Sequence, residues 1–284
     1  MAWRRLGGGL PAPVRRIRPA IPFGTIHATS STQSSAAPAA GLLPAADAMA
    51  RYPGLSVPGL LRLSDYVGTA SFAVTGSLLA AGVGADLLGC AVIGTTTAVG
   101  GGTVRDLLLG NGRRAFWMEE VEYLYISLAA AVAAFLLWPA AERGLGLGLN
   151  DAWLEATDAL GVGAFCVIGA MNGLRAGVPP VAAVVCGVVT ATFGGAIRDV
   201  LCERPVRILH SYASMYATAA AGGATIYVLV RLAGLPTPAR ILAGVFTGMA
   251  LRAASEHWDL RLPVYDSDTA RQTAAAKGDH RGFP

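Results

Sequence analysis

Two short segments of the chain combine glycines with a pair of opposite charges, and their residue types could support transport chemistry. The segments are Gly101–Asp106 and Gly194–Asp199, and both read Gly-Gly-x-x-Arg-Asp. Glycine costs about 1 kcal/mol relative to alanine inside a helix, so the duplicated glycines predict a hinge or a break in each helix. The residues that carry the pattern are Gly101, Gly102, Arg105, Asp106, Gly194, Gly195, Arg198 and Asp199.

A broken helix exposes backbone carbonyl and amide groups, which a membrane tolerates only where they are buried in protein or line a wet cavity. Glycine-interrupted segments at matching positions of two repeats are typical of a transport site. The alternative is close helix packing, because small residues let backbones approach one another. Both interpretations are open for these glycines: they could line a path, pack two helices, or do both.

The Arg-Asp dipeptides that follow the glycines need partners or an interface. A charge near the centre of a bilayer costs at least about 2.5 to 3.5 kcal/mol, and neighbouring residues on a helix point about 100° apart. We therefore predict pairs between the two segments, Arg105 with Asp199 and Arg198 with Asp106. The alternative is that each dipeptide marks the end of a helix at the lipid headgroups.

Acidic residues mark three predicted helix starts. Asp65 and Asp158 open the first helix of each repeat, where an acid in the first turn is stabilised by the helix dipole; each is also a candidate cation-attracting carboxylate at a pore mouth. We interpret Glu119, Glu120 and Glu122 as a solvated helix start.

The elements that must hold these residues are membrane helices. The 284 residues are 54% hydrophobic and only 14% charged, which excludes an ordinary soluble domain. Uncharged runs approach the ~20 residues that cross a bilayer. A seventh run is shorter and reaches that length if Arg252 extends its stem along the helix to the interface. The runs are 66–85, 87–104, 123–141, 159–174, 176–197, 208–230 and 241–251.

An internal repeat organises these helices. Shifting the sequence by 93 residues aligns many identities, among them Asp65 with Asp158, Phe72 with Phe165, Gly76 with Gly169, Thr97 with Thr190, Arg105 with Arg198 and Tyr123 with Tyr216. Such a match indicates a duplication. Three helices per repeat is an odd number, so the second copy must enter the membrane from the opposite face. We predict an all-α integral membrane protein with seven transmembrane helices: inverted repeats at 62–142 and 155–232, then a seventh helix at 238–256.

The two ends of the chain differ from this core. Residues 1–50 hold five arginines before the first acid, Asp47, and many hydroxyl residues, which is typical of an organellar transit peptide; the alternatives are a disordered tail or a wrongly assigned bacterial start. Residues 263–284 form a polar tail. We expect a disordered leader and an organellar inner membrane, mitochondrial or plastid, with the plasma membrane as the alternative.

Other function classes find no support in the residues. The Gly-rich segments match neither G-x-G-x-x-G nor a P-loop, and no basic groove with interleaved aromatics predicts nucleic-acid binding. The four cysteines lack Cys-x-x-Cys spacing and the four histidines are scattered. We predict no enzyme, no cofactor and no metal site, with membrane lipid as a partner.

The duplicated pattern Asp-x-x-Gly-x-x-x-Phe-x-x-x-Gly, at 65–76 and 158–169, followed by Gly-Gly-x-x-Arg-Asp, resembles the glycine-transporter-domain family of small bacterial membrane proteins. The family carries this domain twice per chain and is distantly similar to the trimeric intracellular cation (TRIC) channels. In those seven-helix proteins, Gly-hinged second and fifth helices shape a pore within each subunit. The resemblance implies a seven-helix bundle, a homo-oligomer compatible with a trimer, and passage of a small solute or a monovalent cation.

Two functions follow from this resemblance. The first is transport of a small amino acid such as glycine, which the family name suggests and no residue establishes. The alternative is a monovalent cation channel of the trimeric intracellular type. A membrane scaffold without transport would have no use for charged pairs beside duplicated glycines.

Overall fold

The computed structural model describes residues 50–110, 112, 114–145, 152–209, 215–258, 260 and 262. The predicted leader, except Ala50, and the predicted polar tail at 263–284 lie outside the described residues. All regular structure within them is helical, which confirms the all-α class. The elements are α1 Val57–Gly82, α2 Leu87–Leu109, α3 Phe116–Glu119, α4 Glu122–Leu145, α5 Ala152–Arg175, α6 Pro180–Leu201, a 3-10 turn at Arg207–Leu209, α7 Tyr216–Leu232 and α8 Thr237–His257.

Local chemistry fixes several helix starts. The side chain of Ser56 accepts a hydrogen bond from the amide of Gly59 at the start of α1, and Asp86 accepts one from Gly89 at 2.7 Å at the start of α2. These caps satisfy amides that have no partner within the helix. Helices α6 and α8 have proline in their first turn, where the missing N–H costs nothing.

Within the described part of the chain, four helices are long and apolar enough to cross a membrane: α2, residues 122–144 of α4, residues 157–175 of α5, and α6. The other three long helices fall short for visible reasons. Helix α7 has 17 residues, and α1 and α8 carry charged side chains that lower their mean hydropathy, including Arg62 in α1 and Arg252 in α8.

Helix α5 lies at the centre of the bundle. Every residue from Gly161 to Met171 is buried, whereas a helix at the edge of a bundle exposes one face. The buried apolar cluster combines α5 with α1, α6, α7 and the start of α8. Helix α4, in contrast, exposes Tyr125, Leu136 and Leu137. The bundle therefore surrounds α5, and α4 is a peripheral helix.

Candidate functional site

The duplicated glycines lie at a close crossing of α2 and α6, and both helices are continuous through them. A Cβ atom on Gly101 would overlap the carbonyl oxygen of Thr190, and one on Gly194 would overlap the carbonyl oxygen of Thr97. The predicted break is therefore wrong, and the hinge stays a prediction. The helices keep their hydrogen bonds, and the missing side chains are used to bring two backbones into contact, which is the packing alternative.

The second glycine of each pair has a different neighbourhood. A Cβ atom on Gly102 would overlap the ring of Phe116, whereas Gly195 has only the Arg198 guanidinium within 4 Å, at 3.7 Å. Both of these glycines line cavities. Within each copy, the first glycine packs the two helices together and the second lines a cavity, with free space for a side chain at Gly195 but not at Gly102.

Each arginine of the pattern pairs with the aspartate that follows it. Arg105 Nε and Nη2 donate to Asp106 Oδ1 at 2.9 and 2.7 Å, and Arg198 makes the same two bonds to Asp199. The predicted cross-repeat pairs are wrong. The directions in which neighbouring side chains leave a helix differ by about 100°, but the long arginine stem bends back far enough to reach the next carboxylate.

All four of these charged residues are buried, with 3 to 6% of their surface exposed. Asp106 lies three residues before the end of α2, and Asp199 lies two residues before the end of α6. The dipeptides therefore lie in the last turn of their helices, which agrees with the alternative that each one marks a helix end at the lipid headgroups. Their side chains, however, are buried in protein. Pairing lowers the cost of burying both charges.

The first cavity has a volume of about 420 Å³ and lies among the start of α1, the end of α2 and the second half of α5. Its charged lining is balanced. Four arginines stand against four carboxylates: Arg62, Arg105, Arg114 and Arg175 against Asp65, Asp106, Glu119 and Glu120. No sign of charge dominates the cavity wall.

A hydrogen-bonded chain links Asp65 to the edge of this cavity. Tyr123 donates its hydroxyl proton to Asp65 Oδ2, and Arg62 Nη1 donates to Tyr123 Oη and to Glu120 Oε2, both at 2.6 Å. Because α1 begins at Val57, Asp65 lies in the third turn. The first-turn dipole interpretation of Asp65 is therefore wrong, and the carboxylate is buried against a tyrosine.

Glu120 lies between α3 and α4, so the prediction of a solvated helix start fails for this residue. Burial raises the pKa of Glu120, but the hydrogen bond and the charge of Arg62, together with the charge of Arg51, outweigh it and hold the pKa below its ordinary value of 4.5. Glu120 therefore stays ionised and holds Arg62 at neutral pH.

The short helix α3 is fastened onto the end of α2 at the side of the first cavity. The amide of Phe116 donates to Asp106 Oδ2 at 2.8 Å, the Arg105 guanidinium lies 5.6 Å from the Phe116 ring centroid, and Trp117 Nε1 donates to Thr103 Oγ1 at 3.0 Å. Asp106 thus binds two partners: its Oδ1 accepts from the Arg105 guanidinium, and its Oδ2 accepts from the first amide of α3.

The second cavity has a volume of only about 20 Å³, yet most of its lining residues have a counterpart in the first cavity at an offset of 93 residues. Asp65, Gly102, Arg105, Asp106 and Tyr123 line the first cavity, and Asp158, Gly195, Arg198, Asp199 and Tyr216 line the second. Each cavity also takes residues from the other half of the chain, and two of these match at the same offset: Phe165 and Thr190 in the first cavity, Phe72 and Thr97 in the second.

Asp158 in the second cavity is bound by an arginine from α8. Arg252 Nε and Nη2 both lie 3.3 Å from Asp158 Oδ2, and Nη2 also pairs with Glu256. Asp158 is the seventh residue of α5, so the first-turn interpretation is wrong here too. Arg252 is 4% exposed; it points into the bundle, and the expected extension to the interface is wrong.

Sequence reasoning placed the glycines and the Arg-Asp pairs near a cavity but missed Arg62, Tyr123, Phe116 and Arg252 as parts of the two sites. One signal was available, because Tyr123 and Tyr216 are identical at the repeat offset. Arg252 has no counterpart within the repeats. Among the described residues, no three His, Cys, Asp or Glu side chains converge as metal ligands do.

Comparison with known proteins gives the family. A family model described as Glycine transporter matches residues 62–139 and 155–231. The UPF0126 membrane protein of Vibrio cholerae is 35% identical over 208 residues, covering 72% of this chain and 83% of that protein. The UPF0126 inner membrane protein YadS of Escherichia coli K12 is 34% identical over 205 residues, covering 72% and 95%.

Solved structures with the same fold are cation channels. The TRIC trimeric intracellular cation channel orthologue of Rhodobacter sphaeroides is 37% identical, with a TM-score of 0.62 over 71% of this chain and 99% of that one. A TRIC channel solved to explain conductance is 28% identical, with a TM-score of 0.67 over 73% and 98%. The chain is thus an integral membrane protein with a TRIC-like helical fold, and it belongs to the glycine-transporter family.

Proposed function

We propose that this chain conducts monovalent cations across its membrane, through a path within each subunit of a homotrimer. The observation that carries the proposal is the pair of matching cavities on the two sides of the α2–α6 crossing. The solved relatives are described as trimeric cation channels, and the shared fold supports the same activity here.

The proposed topology has seven spanning helices, with α1, α2 and α4 forming one repeat and α5, α6 and α7 forming the inverted second repeat. The cavities support it. The first touches Asn172 near the end of α5 and the second touches Asp158 near its start, and 14 residues of helix separate them by about 21 Å. Repeats of the same orientation would put equivalent residues at the same end of the bundle.

One threonine lines each cavity, Thr190 the first and Thr97 the second. Thr97 Oγ1 donates to the carbonyl of Ile93 at 2.7 Å, and Thr190 Oγ1 donates to the carbonyl of Cys186 at 2.6 Å. With its proton committed, each hydroxyl offers only lone pairs to a passing ion. Oxygen lone pairs favour cations over anions, and so does the charged lining of the second cavity, where Asp158 and Asp199 stand against Arg198.

Transport of glycine, the first interpretation of the sequence, has weaker support. It rests on the family description, and one feature of the structure suits it: a cavity of about 420 Å³ with both signs of charge could accept a zwitterion. The solved relatives, however, are named for cations. The proposed organellar inner membrane rests on the leader alone, whereas the E. coli relative is an inner membrane protein.

The test is transport by the full-length chain in proteoliposomes, with uptake of labelled potassium analogue and labelled glycine measured on the same preparation. We expect cation uptake that is indifferent to glycine. Saturable glycine uptake without cation uptake would contradict the proposal and restore the carrier.

A further inference from the structure

We propose that Arg252 on α8 is the gate residue of the second cavity, and that its ion pair with Asp158 keeps this cavity closed. The inference rests on the proposed function in so far as the second cavity is part of the cation path. Helix α8 lies outside the repeats, so the gate is an addition to the duplicated framework.

The sequence explains why the second half needs an outside arginine. The residue equivalent to Arg62 in the second repeat is Glu155, so this repeat lacks its own arginine at that position. In the first half the Arg62 guanidinium lies 5.7 Å from the ring centroid of Tyr123. In the second half the Arg252 guanidinium lies 5.0 Å from the ring centroid of Tyr216. Arg252 therefore occupies, beside the equivalent tyrosine, the place that Arg62 occupies in the first half.

The two arginines differ in the carboxylate that they hold. Arg62 is bonded to Glu120 at 2.6 Å, outside α1, and the Asp65 carboxylate is bonded by Tyr123 instead. Arg252 is bonded to Asp158 itself, which lines the second cavity. The first half, where Arg62 is not bonded to Asp65, has the cavity of about 420 Å³. The second half, where Arg252 is bonded to Asp158, has the cavity of about 20 Å³.

Arg252 already pairs with a second carboxylate, which can hold it when the bonds to Asp158 break. Glu256, one helical turn further along α8, pairs with the same guanidinium, as Glu120 pairs with Arg62. The two bonds to Asp158 are 3.3 Å long, whereas charge-assisted hydrogen bonds are commonly about 2.7 to 2.9 Å. Opening then needs only the loss of the two bonds to Asp158, while the ion pair with Glu256 holds the guanidinium.

The backbone of α8 is fixed while the side chain moves. A Cβ atom on Gly248 would lie 3.1 Å from the Cα of Gly163 in α5, and one on Gly223 in α7 would lie 3.1 Å from the Cα of Gly248. Such contacts leave no room for α8 to slide without separating three helices. The gate is therefore a side-chain movement.

The test uses thiols introduced into the two cavities of the full-length chain in liposomes. Ala196→Cys places a reporter in the second cavity and Ala98→Cys places one in the first; the native cysteines are buried, and the unaltered chain gives the blank. With Arg252 intact, a membrane-impermeant thiol reagent should label the first reporter and spare the second. In the Asp158→Asn or Arg252→Gln variant, the reagent should label the second reporter about tenfold faster. A tenfold change corresponds to about 1.4 kcal/mol of free energy that favours the closed cavity.

Glu256→Gln separates a gate from a merely structural pair. Without its second carboxylate Arg252 should stay on Asp158, so labelling of the second reporter should slow, opposite to the other two variants. The first reporter controls for folding in every variant. Labelling that is unchanged by Asp158→Asn, or a faster rate in Glu256→Gln, would overturn the gate. Faster labelling in Asp158→Asn without any cation flux would support the gate and overturn the proposed function.

Discussion

The glycine crossing predicts that two neighbouring glycines respond oppositely to the same substitution. Gly194 lies against the carbonyl oxygen of Thr97, and Gly195 has only the flexible end of Arg198 within 4 Å. Alanine should stabilise α6 at Gly195 by up to about 1 kcal/mol, because glycine is the poorer helix former.

At Gly194 the same gain is opposed by a clash with backbone, which cannot rotate away. Overpacking of this kind costs about 1 to 3 kcal/mol, so Gly194→Ala should be less stable than Gly195→Ala by about that amount. Gly101→Ala should behave like Gly194→Ala, because its Cβ would overlap the carbonyl oxygen of Thr190.

The assay is the free energy of unfolding in mixed detergent micelles, with helix content measured for each variant to verify folding. Gly195→Ala is the matched control, since residue type, helix and substitution are the same. A Gly194→Ala protein as stable as the Gly195→Ala protein would refute the close crossing as the reason for these glycines and favour the hinge.

Three further predictions follow from the two sites. A double-mutant cycle between Arg105 and Asp106 should give a coupling energy of about 0.5 to 3 kcal/mol, and the cycle between Arg105 and Asp199 should be additive within error; the reverse would restore the cross-repeat pair. Because the pKa of Glu120 is lowered in the folded protein, its stabilising contribution is present above pH 4.5 and is lost as the pH falls through the folded value; Glu120→Gln should remove this part of the acid sensitivity, measured as unfolding free energy against pH. Thr190→Val should reduce potassium flux without lowering stability, since it removes lone pairs from the path; undiminished flux would exclude a role for this hydroxyl.

Hydrophobic patterning predicted the helices because burial and span length act on whole segments. The runs at 87–104 and 176–197 became α2 and α6 with small changes of boundary. The offset of 93 residues also identified pairs of equivalent residues, and the structure has the members of these pairs in the walls of the two cavities. These features depend on many residues at once, so an error at one position did not change them.

The partners of single side chains could not be predicted in this way. Arg105 was expected to reach across to Asp199, but the flexible stem that permits its bond to Asp106 leaves no trace in residue spacing. Arg252 was interpreted as pointing to the interface, since nothing in its own helix indicates that Asp158 lies opposite. The helices were not expected to continue through Gly101 and Gly194, because helix propensity depends on the local sequence alone. It contains no information about the carbonyl group of a second helix that packs against these glycines.

The most direct test of the central claim is the reversal potential of current through the purified full-length chain in a planar bilayer with a potassium chloride gradient. Conduction of monovalent cations predicts unitary currents that reverse near the potassium equilibrium potential. A reversal near the chloride equilibrium potential, or glycine uptake by the same preparation with no unitary current, would contradict it.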